Sequence, residues 1–470
     1  MNLETLYLLR FEWLIIAIVF VLLIMKLVDA DAKVKPMLMA VNVMLLINFL
    51  LGFVPISEGV LFNDFFRTNA LIVFQKNILN LGVLLIALTA NRYLNSIKNQ
   101  LEFFILMLSS LLGMYVMISS GNILMLYLGL EMSTIPVAAL ANYNRKMRNS
   151  SEAGLKLIFS SAFSTGILLF GISLLYGATG NLDFNFLASH IQPDALTLLA
   201  FAFILGGFAF KMSVVPFHLW TADVYEGSPV SVTAYLSVIS KAAVIFVFVT
   251  AMYSIFGKME EAWVYIISIL AVLTMTIGNL FTMRQNNIKR LLAFSSITQV
   301  GFVLVGVAGA SRIADTSVIY FVLIYLFSNI AAFGVIGAIS DSTGNETLSA
   351  FKGLYKSNPL LTLALTLSLF SLAGIPPTAG FFGKLFLLTS GMSNGLYAVL
   401  AVASINLVIS LYNYLRVVKA MFMDQPDEAI ETIKPNTPLN IALIVCVVGM
   451  ISIGFIPSIY NYINSLSFGI

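Results

Sequence analysis

The sequence predicts an all-α, polytopic membrane protein, on three observations: its composition, the length and spacing of its apolar stretches, and their lack of alternation. Of 470 residues, 59% are hydrophobic and only 10% are charged, where roughly a quarter would be charged in a soluble domain. Apolar stretches of about 17–25 residues, enough to cross a bilayer, follow one another along nearly the whole chain, separated by short polar loops. A segment in hydrocarbon must pair its backbone groups internally. Runs that are apolar throughout suit helices, since barrel strands would alternate.

Hydropathy places about fourteen spans, near 9–29, 36–55, 71–93, 103–119, 122–142, 153–178, 195–221, 229–256, 262–282, 290–310, 314–340, 358–390, 395–422 and 437–457. No basic region followed by a small-residue cleavage site opens the chain, so its first apolar stretch, about 13–28, is expected to be a retained helix. The loops after the odd-numbered spans carry Lys33, Lys35, Arg92, Lys98, Arg145, Lys146, Arg148, Arg284, Lys289, Arg290, Lys352, Lys356, Arg416, Lys419 and Lys434, against about four basic residues on the other side. The rich side is expected to be cytoplasmic, with both termini opposite.

The net charge of +3 is too small and too scattered for a nucleic-acid surface. The single cysteine, Cys446, excludes a disulfide framework within the chain, a thiolate iron-sulfur cluster and a CxxC redox site. Redox chemistry must then occur elsewhere, and Cys446 reads as a small buried hydrophobe.

Six lysines fall inside or at the edge of apolar segments: Lys26, Lys76, Lys156, Lys211, Lys241 and Lys384. Lys26 and Lys76 are near span ends, where a long side chain can snorkel to the headgroups. Lys156 sits one turn into the sixth span after Glu152, and both a salt-bridged helix start and a proton-path role fit it. Lys211, Lys241 and Lys384 have many apolar residues on both sides. A charge at mid-membrane costs about 2.5–3.5 kcal/mol on insertion scales, so such residues face polar cavities; the competing reading is a lysine paired to backbone carbonyls. Among the acids only Glu131, in Leu126-Tyr-Leu-Gly-Leu-Glu131-Met-Ser-Thr-Ile-Pro136, is expected well inside a span. A buried carboxylate beside an ammonium converts a shift of charge into proton release.

Two spans are built to be broken. The seventh reads Phe210-Lys-Met-Ser-Val-Val-Pro216-Phe-His218, and the twelfth Gly374-Ile-Pro-Pro377-Thr-Ala-Gly380-Phe-Phe-Gly383-Lys384. Proline removes a backbone donor and clashes with the preceding turn. Carbonyls exposed at such breaks can hold water and stabilise a lysine, and interrupted helices in paired positions mark transport sites. The breaks lie five spans apart, so the chain divides into an N-terminal three-helix segment (1–100), a first five-helix unit (101–257), a second, inverted one (258–423), and a C-terminal loop with a last span (424–470). His218 can relay protons, because imidazole titrates near neutrality, or serve as a hydrogen-bonding strut. His190 lies in a polar loop. Ser237, Ser240, Ser295, Ser296, Thr298 and Gln299 can carry water between the charged centres, or simply pack helices.

These residues resemble the antiporter-like subunits of complex I, the NADH-quinone oxidoreductase, over nearly the whole chain. Four strings are similar to the subunit N group, the equivalent of mitochondrial subunit 2: Glu152-Ala-Gly-Leu-Lys156; Lys211-Met-Ser-Val-Val-Pro-Phe-His-Leu-Trp-Thr-Ala-Asp-Val-Tyr-Glu-Gly-Ser-Pro229; Ile288-Lys-Arg-Leu-Leu-Ala-Phe-Ser-Ser296; and Gly374-Ile-Pro-Pro-Thr-Ala-Gly-Phe-Phe-Gly-Lys384. The resemblance implies that Glu131 and Lys211 form the charge pair of a first half-channel, with Lys156 near it. Lys241 would lie between the halves, and Lys384 would face a second half-channel. It implies proton movement outward through this chain without a cofactor of its own. FMN, iron-sulfur clusters and quinone would lie in partner subunits, among them other antiporter-like subunits and, indirectly, the peripheral NADH-oxidising arm. The expected location is a bacterial cytoplasmic membrane. Many relatives have histidine where this chain has Gln299, and glutamine holds water but cannot titrate. Two rivals remain: a subunit of a multi-subunit sodium/proton antiporter of the same fold, and a non-pumping subunit of a membrane-bound hydrogenase.

Overall fold

The computed structural model describes residues 3–28, 34–55, 58–425 and 432–466; Lys33 and the side chain of Lys35 lie outside the described residues. Among these, twelve helices are long and apolar enough to cross a membrane, and two shorter apolar helices, Met37–Leu51 and Pro359–Ala373, accompany them. Burial grades outward from the centre. The apolar windows of Ile288–Ala308 and Arg312–Thr343 are wholly buried, whereas that of Arg10–Val28 is only 28% buried. The central helices carry Ser296, Gln299 and Tyr325, so the polar groups that matter are shielded from lipid by the rest of the protein.

Small residues set the closest packings. A Cβ on Gly113 would stand 2.4 Å from the Ser133 nitrogen, and one on Gly129 2.5 Å from that of Met117, so Gln100–Ile118 and Ile123–Ala141 pack backbone against backbone. Gly278 and Gly301 do the same for Glu260–Thr282 and Ile288–Ala308, with added carbons 2.9 Å from the Thr298 nitrogen and 2.8 Å from the Met275 nitrogen. Each of these hairpins leads into a 32-residue helix, Arg148–Thr179 and Arg312–Thr343, and each long helix stops at a left-handed glycine, Gly180 or Gly344. The chain then bridges back to the asparagine capping the preceding helix: Asn122 to Asp183, and Asn287 to Thr347.

Both expected breaks are present. Ala195–Met212 ends on Ser213, whose φ is 65°, and helix resumes only at Leu219–Gly227, which runs past the end of the span read from hydropathy. Pro359–Ala373 ends on Gly374 at φ 84° and resumes at Ala379. A left-handed residue turns the chain out of the helix, and the following prolines supply no donor to continue it.

Some elements were not foreseen. The span bearing Lys241 is not uniformly α: π turns occupy Leu236–Ser240 and Ala251–Ile255 on either side of Lys241–Thr250. A two-stranded hairpin, Gly59–Leu61 with Phe66–Thr68, covers one end of the N-terminal helices, and a further helix, Pro457–Leu466, follows the last span. Replacing Gly129 by valine should cost about 1–3 kcal/mol, because backbone blocks the added carbons. Gly166→Val, where nothing lies within 4 Å, should cost far less, and thermal unfolding of the detergent-solubilised protein compares the two.

Candidate functional site

The first break leaves Lys211 in the last turn of its helix, where its ammonium reaches across to two neighbouring helices. Nζ donates to Thr134 Oγ1 at 2.6 Å and to Ser161 Oγ at 2.7 Å. Thr134 in turn donates to the Leu130 carbonyl at 2.7 Å, which leaves its lone pairs free to accept. Glu131 lies one turn from Thr134 on the same helix, within electrostatic range of Lys211, and its buried Oε1 has no hydrogen-bond partner among the described residues. No contact ion pair joins Glu131 to Lys211, although the carboxylate acts on the ammonium through space. The shorter Thr134 hydroxyl takes the ammonium instead.

Lys241 stands at the end of the first π turn and is 2% exposed. Its Nζ donates to Ser296 Oγ at 2.7 Å and lies 5.6 Å from the centre of the Tyr225 ring. A small cavity, with room for about one water, is lined by Lys241, Gln299 and Tyr325, and the Tyr325 hydroxyl meets Ser237 Oγ at 3.2 Å. Ser240 is the residue before Lys241 in that π turn, and Thr298 turns away to the Phe294 carbonyl and Asn279.

At the second break, the helix end strands its last carbonyls, and Lys384 takes them. Nζ donates to the Leu372 carbonyl at 2.6 Å and to that of Ala373 at 3.3 Å, with the Phe302 ring 4.7 Å away. Gln299 Nε2 donates to the same Leu372 carbonyl at 3.0 Å and to the Tyr414 hydroxyl at 2.9 Å, which also meets Ser295 Oγ at 2.5 Å. One carbonyl released by the break is therefore shared by Lys384 and the residue that lines the Lys241 cavity.

The remaining candidates go elsewhere. Lys156 is bound to Asp223 at 2.6 Å and Glu152 at 2.7 Å, and Asp223 also pairs with Arg290 at 2.8 Å. This network sits by the basic loops, and the salt bridges of a helix start, one of the two readings of Lys156, are present. His218 is buried against Phe281, ring centres 6.2 Å apart, with the Pro216 backbone within its reach. His190 stacks on Phe186 in its exposed loop, Cys446 is buried, and Lys26 meets Glu102 at an exposed edge.

Lys76 is a correction. It is 1% exposed and pairs at 2.5 Å with Glu12, itself 6% exposed. It does not snorkel, and Glu131 is not the only acid inside the bundle. Both residues stand near helix starts, and the signal that would have joined them, across 64 positions, is absent from the local sequence. Sequence reading also missed Thr134, Ser161 and the tyrosines 225, 325 and 414, which nothing in their local pattern distinguishes from packing residues.

A helical membrane protein with two broken spans, each beside a lysine drawn into the protein, is an antiporter-like membrane subunit by fold. The family described as NADH:quinone oxidoreductase/Mrp antiporter, transmembrane, matches residues 120–410. The chain is 45% identical over 417 residues to NADH-quinone oxidoreductase subunit N of Azobacteroides pseudotrichonymphae, covering 88% of this chain and 87% of that one. It is 43% identical to subunit N of Phocaeicola vulgatus, over 90% of each. The chain belongs to the NADH-quinone oxidoreductase subunit N family. Among solved structures it is similar to a chain of respiratory complex I from Thermus thermophilus with bound aureothin, with TM-score 0.80, 26% identity and coverage of 95% and 97%. A chain of the Mrp complex from Dietzia sp. DQ12-45-1b shares the fold at TM-score 0.88 and 22% identity, covering 99% and 97%.

A Cβ on Gly374 would lie 3.1 Å from Lys384 Cδ, on backbone at φ 84°. Gly374→Ala should cost about 1–2 kcal/mol from the left-handed backbone alone, and more from the displaced lysine stem. Gly344→Ala, where the space is open, should show only the backbone part, and the difference is measurable by thermal unfolding.

Proposed function

We propose that this chain is a proton-translocating membrane subunit of an NADH-quinone oxidoreductase, moving protons through Glu131, Lys211, Lys241 and Lys384 while electrons pass from NADH to quinone in partner subunits. The observation that carries the reading is the Leu372 carbonyl shared by Lys384 and Gln299, with Gln299 lining the cavity beside Lys241. A lysine held by neutral hydroxyls and carbonyls keeps acceptors on both sides of its proton, whereas a contact ion pair would lock it. Thr134 and Ser161 hold Lys211 in this way, and Glu131, in range but not in contact, biases it. Water is needed where side chains do not meet. Lys211 and Lys241 share no hydrogen-bond partner among the described residues, and Gln299, unable to titrate, fixes water or the shared carbonyl rather than passing a proton itself.

The recurrence of glycine-packed hairpin, 32-residue helix, left-handed glycine, bridge to the capping asparagine and broken helix supports two five-helix units, 101–257 and 258–423, in inverted orientation. An N-terminal three-helix segment (1–100) and a C-terminal segment (424–470) flank them. The excess of lysine and arginine after the odd-numbered spans supports a cytoplasmic face there, with both termini outside, in a bacterial cytoplasmic membrane. Driving one charge against the membrane potential requires about 2.3 kcal/mol per 100 mV. That bias comes from outside the chain, which holds no cofactor in this reading; FMN, iron-sulfur clusters and quinone belong to partners, and other membrane subunits of the complex pack beside it. The similar structures are likewise chains of multi-subunit membrane complexes. The sodium/proton antiporter reading has the shared fold in its favour, but the 43–45% identities lie with subunit N.

Lys211→Ala and Glu131→Ala should each lower NADH-driven quinone reduction and proton pumping together in proteoliposomes, by tenfold or more for the lysine, as an order of magnitude for removing a proton-transfer group. Pumping at the unmodified rate by Lys211→Ala would refute its role.

A further inference from the structure

Outside the two broken helices, a concentration of buried polarity lies in the N-terminal bundle, at the end where the β-hairpin packs. Lys76 and Glu12 make their 2.5 Å pair there, on Ala70–Thr89 and Arg10–Val28. The pair is poorly satisfied. Among the described residues, the Lys76 ammonium has no hydrogen-bond acceptor beyond Glu12 and lies against ring surfaces, Phe66 at 5.0 Å and Tyr115 at 5.6 Å, and the buried Glu12 Oε2 has no hydrogen-bond partner. Beside it, Asn48 Nδ2 donates to Asn80 Oδ1 at 2.7 Å and to the Tyr115 hydroxyl at 3.2 Å, Tyr115 donates to Asn80, and Asn80 Nδ2 lies 3.4 Å from Asn77 Oδ1. Asn48 Oδ1 is a second buried acceptor left over. Among the described residues, the charged and titratable groups facing the pair are Arg10, two residues before Glu12 and drawn to the Val54 and Pro55 carbonyls, Tyr115, and Tyr235 beyond it.

A buried pair kept for stability alone is a poor device, because apolar residues of equal volume do as well or better. Leaving one carboxylate oxygen bare adds to that cost. A bare oxygen is what a carboxylate needs in order to accept a proton. Glu12 is in the first turn of its helix, and Lys76 is two turns into its own, so the short route to water runs past Phe66 and the hairpin, away from the basic loops.

We propose that Glu12 and Lys76 form a proton-exchanging site of their own, separate from the lysines at the breaks and reached from the hairpin end of the bundle. In the resting form the ammonium faces the carboxylate. Uptake of one proton from water at Glu12 Oε2 gives ammonium beside carboxylic acid, one positive charge more than before, and its loss to the same side restores the pair. Tyr115 and the asparagines hold the neighbouring backbone and side chains in place while this charge comes and goes.

The test uses the assembled oxidoreductase in lipid vesicles and does not depend on pumping, so it stands apart from the outcome of Lys211→Ala. Infrared difference spectra between acid and alkaline pH should show a protonated-carboxyl band that is lost in the double variant Glu12→Gln with Lys76→Met. The double variant removes both charges together, so the bundle is not left with one unpaired, and co-purification of the partner subunits confirms assembly. The band should respond to pH changed on the hairpin side alone. A spectrum unchanged in the double variant, or a band that follows only the pH on the basic-loop side, would overturn the proposal.

Discussion

Everything in this structure answers to one constraint: an ammonium group taken out of water must find fixed acceptors, and hydrocarbon supplies none. The protein meets that need differently at each lysine. For Lys211 it uses hydroxyls from two neighbouring helices, for Lys241 one serine, an aromatic face and a small cavity, and for Lys384 the carbonyls of a helix that has been ended on purpose. The helix breaks are therefore part of the charge-holding apparatus. A continuous twelfth span would spend the Leu372 and Ala373 carbonyls on its own ladder, and Lys384 would have nothing to bind.

The same constraint explains how the helices are packed. Glycines at 113, 129, 278 and 301 bring backbones together, so that the central helices are enclosed by protein. Gly82 admits Ile239 of the π turn before Lys241, whose Cδ1 would lie 2.2 Å from an added Cβ. A π turn shifts the register of the residues after it by part of a turn. Here it sits immediately before Lys241, whose side chain points at Ser296 on a helix buried on all sides.

Much of this was legible in the sequence, and the features that were not share a common cause. Pro216, Gly374 and Pro376-Pro377 announce the breaks because their effect on the backbone is local. Lys211, Lys241 and Lys384 stand out because hydropathy measures the cost of their surroundings. The fold class follows from composition. Partners contributed by other helices leave no local trace. Thr134 rather than Glu131 as the contact of Lys211, the Leu372 carbonyl bridging Gln299 to Lys384, and Glu12 as the mate of Lys76 each depend on three-dimensional proximity. The snorkelling expected of Lys76 failed for this reason: its position near a helix start is real, but its ammonium turns inward to Glu12, against the Phe66 ring. The π turns carry no composition signal at all.

The proposed path through the lysines requires ordered water where protein groups do not touch. A density map of the assembled oxidoreductase at a resolution that reveals water tests it most directly. The predicted result is water linking the Thr134 and Ser161 hydroxyls toward Tyr225 and Ser237, with more in the cavity between Lys241 and Gln299. Close-packed side chains in those two gaps, with no solvent between them, would contradict it.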